Sequence, residues 1–132
     1  GKAALLPGAL EVLKELSARG VRTGIASNCS QRYLDAAMQG MGLGQWIEEG
    51  RCLESRGVRT KADMVGDLLL TFQTRSAVMV GDRQGDCVAG KAHSLPFVLC
   101  ENGFGQDWER FECEGRIADL LELIPLLEAG IS

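Results

Sequence analysis

Aromatic residues are scarce in this 132-residue sequence, at 5%, with one tyrosine, one histidine and three prolines. So few rings leave little for a base-stacking platform. Basic residues are not in excess: 14 Lys and Arg stand against 18 Asp and Glu, a net charge of −4. That balance argues against a nucleic-acid backbone or an anionic membrane as partner. No apolar run approaches the roughly 18 residues needed to span a bilayer, and Gly1-Lys2-Ala3-Ala4 does not read as a secretory signal. No Cys-x-x-Cys pair occurs among Cys29, Cys52, Cys87, Cys100 and Cys113. The odd number and wide spacings suit a reducing, cytoplasmic compartment, with the thiols packed as small apolar side chains. A zinc site made from three of them and His93 lacks any ligand spacing. What remains is an ordinary globular balance, 45% apolar and 24% charged, which excludes disorder. The length fits one domain over residues 1–132, enough to bury about two-thirds of the unfolded surface.

Apolar periodicity sets out the elements. Leu10, Val12, Leu13 and Leu16 recur at helical spacing after Pro7-Gly8, and Gly20 closes that helix. Val21 to Ala26 reads as a strand. Ser27-Asn28-Cys29-Ser30 reads as a turn, with Ser30 capping a helix from Gln31 to about Met41. Arg51 to Leu53 suits a short strand. Thr60 and Asp63 form a capping-box variant ahead of the stripe Met64, Val65, Leu68, Leu69 and Phe72. Ala77 to Val80 is a wholly apolar strand of the buried parallel type. Gly81 to Gly85 then reads as a loop, Asp86 to His93 as a helix and Pro96 to Leu99 as a strand. Glu101 to Gly115 looks like loop, and Ile117 to Leu127 carries a helical stripe interrupted by Pro125. Strands alternating with helices predict an α/β fold around a parallel sheet.

In such sheets ligands sit beyond the carboxyl ends of the strands. Ser27-Asn28 falls there, and so does Gly81-Asp82-Arg83-Gln84-Gly85-Asp86. Asp82 and Asp86 are placed to hold a hard cation through oxygen; equally, Asp82 could cap a turn and Asp86 the next helix. Lys61, at the start of its helix, could project toward the same edge or be a solvated surface lysine.

Ser27 precedes Lys61 by 34 residues, and Lys61 precedes Asp82 by 21. The order of Gly24-Ile25-Ala26-Ser27-Asn28, Thr60-Lys61-Ala62-Asp63 and Val78-Met79-Val80-Gly81-Asp82 with Asp86 resembles the second, third and fourth motifs of the haloacid dehalogenase-like (HAD) phosphatases, in their phosphoglycolate phosphatase-like, capped group. Leu6-Pro7-Gly8-Ala9 resembles the point where these proteins re-enter the core after a helical cap. Ala92-His93-Ser94-Leu95-Pro96 resembles their lead into the next strand. The resemblance implies a three-layer, Rossmannoid parallel-sheet core. It implies that Ser27 and the Asn28 N–H bind phosphate, that Lys61 balances the charge of phosphate and nucleophile, and that Asp82 and Asp86 serve Mg²⁺. The implied substrate is a phosphorylated small molecule.

The family's first motif, Asp-x-Asp on the first central strand, provides the nucleophile and the general acid and base. The aspartates are Asp35, Asp63, Asp67, Asp82, Asp86, Asp107 and Asp119, and no two are two apart. The expectation is a core without its first central strand, without the cap and without turnover on its own, with Mg²⁺ held weakly or only together with phosphate. A C-terminal piece of a longer phosphatase, a natural truncated binding or interaction protein, and a chain completed by another polypeptide all fit. The strands ending at Ser27 and Asp82 are expected to pair directly or to be bridged by a homo-oligomer or a partner strand. Cys29, Cys87 and Cys100 are expected near one edge, with Cys87, in a helix's first turn, the candidate reactive thiol. A response-regulator-like or flavodoxin-like domain is a further alternative. It lacks a suitable upstream acidic pair and a proper phosphate-cradling loop.

Overall fold

The helices over Gln31–Gly40, Lys61–Phe72 and Gln84–Lys91 begin where a side chain accepts from backbone N–H groups. A computed structural model describes residues 8–40, 42–101 and 113–130. Helix α1 (Ala9–Ala18) follows Gly8, which holds φ 82° and accepts from Val12 N through its carbonyl; Pro7 lies outside the described residues. Helix α2 (Gln31–Gly40) starts at Ser30, whose Oγ accepts from Tyr33 N at 3.1 Å; the expected end at Met41 lies outside the described residues. Helix α3 (Lys61–Phe72) opens on the capping box expected for Thr60 and Asp63. Helix α4 spans Gln84–Lys91 and α5 spans Leu123–Ala129.

Among the described residues there are five short strands: β1 (Gly24–Ser27), β2 (Glu49–Cys52), β3 (Met79–Gly81), β4 (Phe97–Cys100) and β5 (Gly115–Ile117). Every pairing among them is parallel. Ser27 stands opposite Cys52, Val80 opposite Val98, and Val98 opposite Gly115. Phe97, Val98, Leu99 and Cys100 are all at most 1% exposed, as a strand covered on both faces requires.

Alternation along the strands sorts the core into layers. Ile25 packs with Leu13, Ala37, Leu43 and Ile47, while its neighbour Ala26 packs with Val65, Ala89 and Leu95. Val98 and Cys100 meet Val12, Leu16, Ile117 and Leu123, while Phe97 and Leu99 meet Cys87 and Cys113. Helices α1, α2 and α5 thus cover one face, and α3 and α4 cover the other. This is the three-layer α/β arrangement expected.

Direct pairing of the strands before Ser27 and Asp82 does not occur. Among the described residues β1–β2 form one sheet and β3–β4–β5 another. The helices explain the separation. α3 rests on β1 and β2, α4 rests on β3 and β4, and α3 packs on α4. Among the described residues the two sheets are therefore joined through packed helices rather than through strand pairing.

Two further readings need correction. Ile117 ends strand β5 rather than beginning a helix. The turn that follows is 3₁₀ (Leu120–Glu122), organised by Asp119 Oδ1 accepting from Leu121 N at 2.8 Å and Glu122 Oε2 from Ala118 N at 2.6 Å. Pro125 does not interrupt α5. It lies in the first turn, where a missing N–H costs nothing. Most of the expected 101–115 loop lies outside the described residues. No helix among the described residues is long and apolar enough to cross a membrane.

Candidate functional site

At the carboxyl end of β3 the chain turns through Asp82 and Arg83 into α4, and Asp86 folds back over the turn. Asp86 is 7% exposed, the one buried charged side chain among the described residues. Its Oδ2 accepts from the N–H groups of Asp82 at 3.2 Å and Arg83 at 3.3 Å. Its Oδ1 meets Lys61 Nζ at 2.6 Å. Gly81 makes this possible: a Cβ there would lie 2.5 Å from both Cβ and Oδ2 of Asp86. The glycine is required by close approach rather than by an unusual φ.

Lys61 is the first residue of α3, fixed by the box around Thr60. Asp63 Oδ2 accepts from Arg59 N at 2.9 Å and Thr60 N at 3.1 Å. These N–H groups, Arg59's foremost, hold the Asp63 carboxyl below its ordinary range. The side chains of Lys61 and Asp86 are only 16% and 10% exposed. Their contact joins the N-termini of α3 and α4, and so brings the carboxyl ends of the two sheets to one side of the molecule. Lys61, Asp82 and Asp86 are therefore brought together. Ser27 ends β1, half-buried, and Asn28 follows it, exposed, on that same edge. For Asp86 the capping alternative and the pairing with Lys61 are both realised.

His93 has a different task from metal ligation. Its Nε2 lies 2.7 Å from the Ala62 carbonyl. An oxygen acceptor requires the proton on Nε2. The ring also lies against Gly66, where a Cβ would stand 2.9 Å from Cε1. His93 thus braces the end of α4 against the first turn of α3, next to Lys61. Among the described residues no group of three or more His, Cys, Asp and Glu side chains is placed to hold a metal.

Of the cysteines, Cys52, Cys87 and Cys100 are buried, and Cys29 and Cys113 half-buried. Cys29 follows the end of β1, Cys87 lies in the first turn of α4 and Cys100 ends β4, so all three lie toward the carboxyl ends of the strands, though Cys87 and Cys100 pack on opposite faces of β4. Cys100 belongs to the cluster under α1 and α5, and Cys87 to the cluster on the other face of β4.

Several polar links were not legible in the sequence. Arg51, on β2, pairs with Asp67, reaches Thr71 Oγ1 at 2.9 Å and meets Glu49 at 3.2 Å, clamping β2 to α3. Asp67 above all raises the guanidinium's pKa. Glu114 takes Lys91 on one oxygen and Phe97 N on the other, at 2.8 Å. Those two donors, Lys91's first, hold its carboxyl below the ordinary range. Glu54 accepts from Gln31 N at 2.6 Å. An arginine in a strand flanked by charge was a faint signal for the first clamp. The two glutamates carry none.

A buried Lys–Asp pair beside an acidic loop thus stands at the carboxyl edge of a three-layer parallel α/β core. The model of the haloacid dehalogenase-like hydrolases matches residues 1–94, and the chain belongs to that family. A phosphoglycolate phosphatase of Rhodospirillum rubrum is 31% identical over 113 residues, which cover 80% of this chain and 45% of that protein. A haloacid dehalogenase-like hydrolase of Streptococcus pneumoniae superposes with a TM-score of 0.84 at 17% identity, over 93% of this chain and 60% of that one. CbbY of Rhodobacter sphaeroides, solved in complex with phosphate, gives 0.79 at 19% identity, over 93% and 57%. The structural likenesses carry the fold alone. The chain spans under half the length of the curated relative it matches and about 60% of the solved ones.

Proposed function

We propose that residues 1–132 act as one unit, the phosphate-binding part of a HAD-type phosphomonoesterase core, taking a phosphorylated small molecule in the cytoplasm. The observation that carries this reading is the Lys61–Asp86 contact of 2.6 Å at the C-terminal sheet edge, with the Asp82 N–H bound to the same carboxylate. Asp86 holds the ammonium at a fixed place, so that Lys61 can turn a remaining N–H toward a phosphoryl oxygen. The Ser27 hydroxyl and the Asn28 N–H donate to another.

The donor set fits Mg²⁺ only in part. Asp86 already receives three donors on its two oxygens. By the family resemblance Asp82 would be a ligand, with Asp86 orienting the shell behind it. Mg²⁺ is commonly held by one or two carboxylates, the substrate's phosphate and retained water, so binding would be weak without phosphate. When bound, the ion offsets phosphate charge.

Hydrolysis through an aspartyl-phosphate needs a carboxylate nucleophile, and this sequence contains no Asp-x-Asp. Loss of a nucleophile typically removes several orders of magnitude in rate. That absence favours a second reading for this chain taken alone: binding without turnover. The test is an aryl phosphate assay with excess Mg²⁺, run beside phosphate titration by ³¹P NMR. Phosphate binding weakened by Lys61→Ala, without turnover, is the expected result. Turnover well above Lys61→Ala and Asp82→Asn controls would show that another carboxylate, Asp86 first, serves as nucleophile. The lack of any pairing between β1 and β3 among the described residues also suits a strand from a second copy or another polypeptide, which light scattering would detect as an oligomer.

A further inference from the structure

We propose that Glu54 is a positioning residue for the Ser27–Ser30 loop, and through it for phosphate held at Ser27 and Asn28. The second half of this rests on the phosphate reading above. Residues 28–30 leave β1 and must turn at once into α2, and Asn28 and Ser30 are exposed. Packing therefore does little to fix the loop. Ser27 stands opposite Cys52, so the chain leaving β2 runs beside the loop, and three contacts join them. Leu53 N donates to Cys29 O at 3.2 Å, and Cys52 Sγ donates to Gln31 Oε1 at 3.5 Å. A backbone bond of that length and a thiol donor are both weak. The third contact is Gln31 N to Glu54 Oε1, at 2.6 Å the shortest of the three and the one with an ionised acceptor.

Glu54 is itself exposed, so it fills no core space. Its carboxylate fixes the direction of the first helical N–H of α2, and with it the backbone four residues after Ser27. It also serves the end of the helix. Ser30 Oγ takes the N–H of Tyr33 and Glu54 takes that of Gln31. With these donors engaged by the chain's own oxygens, an incoming phosphate is directed to Ser27 and Asn28 rather than to the helix terminus.

The experiment compares the native ¹⁵N-labelled chain with Glu54→Ala and Glu54→Gln, following amide exchange and titrating inorganic phosphate with Mg²⁺. Glu54→Ala is expected to speed exchange over residues 28–31, to leave Met64 in α3 unchanged, and to weaken the phosphate response of the Asn28 amide about fivefold. Glu54→Gln keeps an accepting oxygen and should restore most of both. Unchanged exchange over residues 28–31 in Glu54→Ala, or phosphate bound as tightly or more tightly, would overturn the proposal. If the native chain shows no phosphate response at Asn28, the phosphate reading fails, and the exchange data still decide whether Glu54 holds the loop.

Discussion

Lys61 and Asp86 form an unequal pair, and removing each partner in turn should show it. Asp86 has a short side chain and is 7% exposed, so after Lys61→Met its carboxylate stays in place with only two long N–H bonds, 3.2 and 3.3 Å. Lys61 has a flexible four-carbon stem and can carry its ammonium out to water after Asp86→Ala. Breaking a buried pair by removing one partner costs about 3–5 kcal/mol. Side-chain exposures of 16% and 10% place Lys61→Met near the lower end, about 3 kcal/mol. Asp86→Ala should cost less, about 2 kcal/mol, chiefly for two N–H groups left without their acceptor. For a chain of this length 3 kcal/mol corresponds to about 12 °C in Tm. The assay is urea unfolding at pH 7, reading midpoints at constant m-value. The double variant Lys61→Met/Asp86→Leu should be more stable than Lys61→Met alone. A double variant that merely sums the two losses, or a Lys61→Met milder than Asp86→Ala, would refute the reasoning.

Three other outcomes are expected. Gly66→Ala should destabilise by about 1–3 kcal/mol by pushing His93 off the Ala62 carbonyl; in a His93→Ala background the same change should be neutral or gain up to about 1 kcal/mol of helix propensity, and thermal melts of the four proteins check the reversal. Glu114 has a depressed pKa in the folded state, so its contribution is present above its unfolded value of about 4.3 and is lost as pH falls through the lower folded value. With both partners partly exposed that contribution is at most about 1 kcal/mol; Glu114→Gln should lower the urea midpoint at pH 7 and flatten its decline toward pH 3, and an unchanged acid limb would count against the clamp. Thiol titration of the native chain should label Cys29 and Cys113, and reach Cys52, Cys87 and Cys100 only on unfolding.

What the sequence made legible was local. Thr60 and Asp63 lie three apart and find each other within one turn, so the capping box that sets Lys61 could be read directly. Ser27, Lys61 and Asp82 could be placed because each adjoins the end of a strand or the start of a helix. Asp86 was seen as either a cap or a metal carboxylate. Only the fold shows that it also anchors a lysine 25 residues away. Three-residue β5 was lost because Gly115-Arg116-Ile117 carries no pattern long enough to register, and its pairing with β4 is decided by tertiary packing. Glu54 and Glu114 were invisible for the same reason: an exposed glutamate looks alike wherever its partner lies.

The separation of the two sheets has a consequence for how the molecule comes apart. Each ladder is local, with Ile25 against Gly50 and Val80 against Val98, and among the described residues no strand pairing joins one sheet to the other. Among the described residues, two side-chain seams that join the halves stand out. One is α1, whose Leu13 faces the first sheet's cluster while Val12 and Leu16 face the second's. The other is the α3–α4 contact with its ion pair. Proteins open sub-globally in contiguous units that often coincide with supersecondary motifs, so each sheet with its helices is expected to behave as a foldon, which native-state amide exchange would show. Loosening α1 or the Lys61–Asp86 contact would then lower the cooperativity of unfolding before it melts either sheet.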